Sequence, residues 1–93
     1  MKKNNRIVVT VLGKDRVGII SGVANVLADA NANIADISQT IMQDFFTMIM
    51  IVDIAGCNID FNHLKSNLHN LGEELGVKIT AQNEQVFDYM HRI

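Results

Sequence analysis

Two stretches of this 93-residue chain are apolar on both alternating faces, and they constrain its fold more than any other feature. They are Ile7-Val8-Val9-Thr10-Val11-Leu12 and Phe46-Thr47-Met48-Ile49-Met50-Ile51-Val52-Asp53-Ile54. Successive side chains of a strand point to opposite faces, so such runs need cover on both sides and belong in the middle of a sheet. Two other segments are strand-like but polar-mixed. Asp36, Ser38, Gln39 and Thr40 interrupt the isoleucines between Ile34 and Met42, and Val77 to Gln82 alternates apolar with polar residues. Both suit sheet edges.

Helical periodicity fills the gaps. From Val17 to Ala30, Ile20, Val23, Ala24 and Leu27 mark one helix face, with Ile19 and Val26 as a second apolar flank. Phe61, Leu64, Leu68, Leu71 and Leu75 form a clean stripe on a second helix. Asp15 and Asp60 stand where N-caps are expected, and Asn31-Ala32-Asn33 and Gly76 where helices end. Only Gln43-Asp44 separates the second strand from the third, which predicts an antiparallel hairpin.

The order β-α-β-β-α-β is that of an α+β, ferredoxin-like fold with a four-stranded antiparallel sheet. Its usual strand order places the first and third strands centrally, in agreement with the polarity of the runs. Val86, Met90 and Ile93, with Phe87 alongside, predict a short C-terminal helix over residues 84–93. The expectation is one domain over residues 1–93 with a core over 6–82. Two helices cover one sheet face, so the other, carrying Thr47, Ile49 and Ile51 or their alternates, needs the terminal helix or a second copy of the chain. An oligomer, most simply a homodimer, is expected.

Composition removes several function classes. Hydrophobic residues make up 48% and charged residues 19%, as in an ordered globular domain. No run approaches the roughly 18–20 apolar residues that span a bilayer. The basic start Met1-Lys2-Lys3-Asn4-Asn5 leads into strand residues rather than a signal sequence, so a cytoplasmic location is expected and a membrane partner is not. Five bases and one acid occupy residues 1–16, three bases and nine acids the remainder. An acidic chain with one short basic edge is a poor match to a phosphate backbone, which argues against nucleic acid. The lone Cys57 forms no intramolecular disulfide and reads as a half-buried residue near a strand end.

The connection between the first strand and first helix is the candidate site. Gly13-Lys14-Asp15-Arg16-Val17-Gly18-Ile19 has glycine near both ends and leads into a helix N-terminus, whose free N–H groups suit a carboxylate or phosphate. It could equally be a plain turn, with Asp15 only a cap. Elsewhere the chemistry is thin. His63 and His69 are six apart rather than four, His91 lies on the terminal segment, and no Cys-x-x-Cys occurs, so neither a metal nor a cofactor is expected. Asp36 and Asp53 could be neighbours on adjacent strands, though solvated carboxylates are the simpler reading. Catalytic residues are not evident and an enzyme is not expected. An acylphosphatase shares the topology, but an acid at the loop centre opposes phosphate. An RNA-recognition module would need exposed aromatics on both central strands, and the first strand has none.

The pattern Gly-x-Asp-Arg-x-Gly-Ile, followed by Asn33-Ile34-x-Asp36-Ile37 at the start of the second strand, resembles the ACT domain over about Arg6 to Gln82. The run from Asp36 to Met48 and the ending Met90-His91-Arg92-Ile93 resemble a family of small, free-standing single-ACT proteins of unknown function. The resemblance implies a regulatory homodimer that binds a small-molecule effector, typically an amino acid, between two copies and signals to a regulated enzyme or regulator. It implies that Gly13, Lys14, Asp15, Arg16, Val17, Gly18 and Ile19 form one wall, with Asn33, Ile34 and Asp36 of the other copy opposite. Main-chain N–H groups near Val17 to Ile19 would take a carboxylate, and Asp15, Asp36 or Asn33 an amino group. Val17 stands where proline is frequent in such loops, which leaves the loop less preorganised. The loop form also resembles the N-terminal domain of formyltetrahydrofolate deformylases and a repressor of glycine-cleavage genes, pointing towards glycine or one-carbon metabolism. The competing expectation is a protein-interaction subunit with no metabolite.

Overall fold

Arg6–Lys14 (β1) lies between Phe45–Asp53 (β3) and Lys78–Asn83 (β4), and Asn33–Met42 (β2) flanks β3 on its far side. The order β2-β3-β1-β4, with every neighbouring pair antiparallel, puts the two wholly apolar runs at the centre. The computed structural model describes residues 5–14 and 17–85. The expected C-terminal helix over 84–93 therefore lies outside the described residues beyond Gln85. No described helix is long and apolar enough to cross a membrane.

Ile19–Asp29 (α1) and Phe61–Leu75 (α2) pack on one sheet face. Val9, Val11, Met48, Met50, Val52, Val23 and Leu64 there are at most 1% exposed. Asp60 caps α2 as expected: its carboxylate accepts from the His63 N–H at 2.8 Å. Gly76, at φ 76°, closes the helix. Gly72 is glycine because α2 sits hard against the start of β4. A Cβ at that position would stand 2.7 Å from the Val77 carbonyl oxygen.

The start of α1 corrects the sequence reading in two ways. Gly18, in the left-handed region at φ 96°, is the residue before the helix, so Asp15 is not its N-cap. The helix begins at Ile19 rather than Val17, and its buried face is Ile19, Val23 and Leu27. Ile20, expected on that face, is 45% exposed. With isoleucine at both 19 and 20, periodicity cannot fix the phase. The glycine turn does, by presenting Ile19 to the core.

The far sheet face is uneven. Val8 is 2% exposed, whereas Leu12, Ile49 and Phe45 are 52%, 39% and 55% exposed. β2 is more open still, every one of its ten residues being exposed. At the β2–β3 turn Gln43 takes φ 56°, a conformation that costs an L-residue about 1–2 kcal/mol. Gln43→Gly removes that strain, offset in part by the greater freedom of glycine in the unfolded chain. The variant should gain roughly 0.5–1 kcal/mol in urea unfolding, and unchanged or lower stability would show that the turn holds no such strain.

Candidate functional site

The loop between β1 and α1 divides its tasks between two glycines. Gly13 sits on the helix-covered face, opposite Phe46, and a Cβ there would lie 2.7 Å from Val77 Cγ1 and 3.1 Å from Val77 Cα. Its missing side chain serves packing against the start of β4. Gly18 has open space around its Cα but a backbone angle that L-residues resist. It turns the chain into α1.

That helix start carries no side-chain cap and no acid in its first turn. The first intrahelical bond runs from the Gly22 N–H to the Gly18 carbonyl at 2.9 Å, so the N–H groups of Ile19, Ile20 and Ser21 have no helical acceptor. Together they provide partial positive charge and three aligned donors. Val17 is 95% exposed beside them, whereas the Ile19 side chain is 2% exposed and belongs to the core. Ile19 can offer only its backbone. Lys14 ends β1, exposed, and Asp15 and Arg16 lie outside the described residues.

Asn33, Ile34 and Asp36, expected opposite the loop, lie elsewhere, in β2. Asn33 opens β2 opposite Asp53, whose partner across the sheet is Arg6, at the beginning of β1. Lys14 is opposite Phe45, which pairs with Met42 at the end of β2. The loop and Asn33 thus occupy opposite ends of one sheet, separated by the eight-residue rise of β1, about 27 Å. One chain does not bring them together.

Between Ile34 and Asp36 the pairing with β3 slips, leaving Ala35 as an extra residue. The Asp36 carboxylate folds onto the next residue, accepting from the Ile37 N–H at 2.8 Å. Asp53 does likewise for the Ala55 N–H at 2.9 Å. Asp36 stands opposite Ile51 rather than Asp53, so the two carboxylates are not cross-strand partners and each serves a local turn.

Other chemistry is sparse. Among the described residues no three His, Cys, Asp or Glu side chains converge as a metal site. His69 lies 3.7 Å from Glu73 on the solvent face of α2. Burial pushes the Cys57 thiol up from its ordinary pKa, and the Asp53 charge adds to this, the reverse of what a nucleophile needs. A groove of about 490 Å³ between α2 and β4, lined by residues such as His69, Glu73 and Lys78, contains none of the loop or β2 residues.

The family model described as the ACT domain matches residues 5–82. The chain belongs to the ACT domain family. A UPF0237 protein of Methanocaldococcus jannaschii is 56% identical over 89 residues, covering 96% of this chain and 99% of its own length. An ACT domain protein from Streptococcus pneumoniae superimposes with a TM-score of 0.77 at 37% identity, over 89% of this chain and 93% of that one. A formyltetrahydrofolate deformylase from Pseudomonas syringae gives 0.72 at 25% identity over 82% of this chain, but only 27% of its own. ACT domains are regulatory ligand-binding modules. The β-α-β-β-α-β order and four-stranded antiparallel sheet stand as the sequence predicted.

Proposed function

We propose that this protein is a stand-alone effector sensor that works as a homodimer, with an amino acid held between the loop of one copy and the start of β2 in the other. One observation carries the reading. The two halves of the motif lie at opposite ends of the same sheet, joined by an edge strand that is open along its length. A second copy pairing antiparallel along β2 would set its Asn33 end beside the Met42 end of the first. Each loop would then meet the partner's Asn33, Ile34 and Asp36, making two equivalent sites.

The chemistry of each half fits a zwitterion. The N–H groups of Ile19, Ile20 and Ser21 suit the α-carboxylate, with Lys14 and Arg16 adding positive charge. The partner's Asn33 and Asp36 suit the ammonium group; the carboxylate of Asp36 would exchange or share its bond to the Ile37 N–H. Occupancy would stiffen the dimer and alter the surface offered to a regulated enzyme or regulator in the cytoplasm. The kinship with a formyltetrahydrofolate deformylase supports a setting near glycine or one-carbon metabolism.

Thermal unfolding of the intact chain against the twenty amino acids tests this. A ligand at 100 times its Kd should add about 2.7 kcal/mol of stability, with light scattering reporting a dimer throughout. A monomer, or a dimer that no amino acid stabilises, would move the reading to a protein-interaction subunit. The exposed Leu12, Phe45 and Met42 are the observation that favours that second reading.

A further inference from the structure

We infer that residues 86–93 of this chain dock across the far face of the sheet and cover Val8 and Ile51. The inference stands apart from the sensor reading. Val8 is 2% exposed, yet it is the one buried apolar side chain among the described residues that lies outside the core cluster beneath α1 and α2. It sits on the far face of β1, between Ile51 of β3 and Gln82 of β4, both half-buried. Flanking strands alone do not bury a side chain so completely. Thr10, next along the same face and also flanked by two strands, is only half-buried, and Leu12 beyond it is 52% exposed. Cover is laid over one end of the face, within a single chain.

Where the chain leaves β4 decides what that cover is. Asn83 pairs with Ile7 at the same end of the sheet. The carboxylate of the next residue, Glu84, accepts from Arg6 Nε at 3.1 Å and lies 2.9 Å from Arg6 Nη2. Arg6 shares the far face with Val8, so this two-pronged pair draws the chain towards it. Residues 84 and 85 are already helical, and Asn83 Oδ1 accepts from the Gln85 N–H at 2.9 Å, as an N-cap does. The other face beside β4 is filled by α2. Val86, Met90 and Ile93, with Phe87 alongside, supply an apolar stripe at helical spacing.

The dimensions agree. A helix over residues 84–93 would span about 15 Å, and crossing from β4 over β1 to β3 takes about 10 Å. With a width of about 10 Å, it shelters Val8 and Ile51 but not Leu12, about 13 Å further along β1. That is the observed fall in cover along the strand.

Nuclear Overhauser contacts of the intact chain, labelled at its Val, Ile and Met methyl groups, test the docking. The Val8 methyls should meet those of Val86, Met90 or Ile93, and mixtures of labelled and unlabelled chains should show that the contact arises within one chain. Met90→Asp should remove these contacts and raise the fluorescence of the hydrophobic-surface dye ANS, while Val9 to Met50 contacts across the sheet persist. Val8 methyls that meet only sheet residues, or residues 86–93 of a second copy, would overturn the inference. So would a Met90→Asp chain that keeps every contact. If Met90→Asp does not fold, the contacts of the unmodified chain decide.

Discussion

Leu64→Ala should lower the unfolding free energy by about 3–4 kcal/mol, within the range for removing a buried leucine from a well-packed core. Leu64 is fully buried on α2, in the cluster that joins both helices to β1, β3 and β4. The cavity has little room to collapse, because Gly72 already holds α2 against the Val77 backbone. A domain of this size has roughly 5–14 kcal/mol of stability in total, so the loss is a large part of the whole. In urea the midpoint should fall by about 2 M or more, given slopes at the low end of the small-protein range. The comparison should be made at one protein concentration, since any dimer links stability to concentration. A change below about 1 kcal/mol would mean that α2 does not pack as described.

Leu64 also shows why so much of the fold was legible. Its place in a 3,4-spaced stripe marked it as core, and the polarity of four strand-like runs was enough to order the sheet. Both inferences use features repeated along an element, so one ambiguous residue cannot spoil them. The errors fell where one residue decides. Ile19 and Ile20 are equivalent to a periodicity argument, and only the Gly18 backbone angle separates the buried one from the exposed one. Asp15 resembles a cap in one dimension, but the chain turns three residues later.

The loop and the start of β2 were singled out by resemblance and only partly by physics. Nothing local to the sequence says that Gly13 is glycine because of Val77, sixty-four positions away. Nor does it reveal the extra residue at Ala35, or that Asp36 caps Ile37 instead of facing Asp53. These are facts of register, set by turns and packing elsewhere. The separation of the loop from Asn33 depends on register too. It puts two segments that one motif names in succession at opposite ends of the sheet.

Ile37→Lys should therefore separate assembly and binding from folding. Ile37 is near the middle of β2, on the helix-covered face opposite Met50, and is 43% exposed. In a lone chain lysine can extend into water from that position, so the secondary structure should persist and stability should change by no more than about 1 kcal/mol. In the proposed dimer the same side chain would stand close to its symmetry mate at the junction of two β2 strands. An unpaired charge there is the device by which natural edge strands refuse partners, and two of them would repel. Light scattering at tens of micromolar should show a monomer where the unmodified chain is a dimer. Amino-acid binding should disappear with the dimer, although residue 37 is not among the proposed site residues, because each proposed site takes one wall from each copy. A monomeric Ile37→Lys chain that still binds an amino acid at the original affinity would show the site complete within one protomer. A variant that stays dimeric would place the interface away from β2, with the open Leu12 and Phe45 face the next surface to probe.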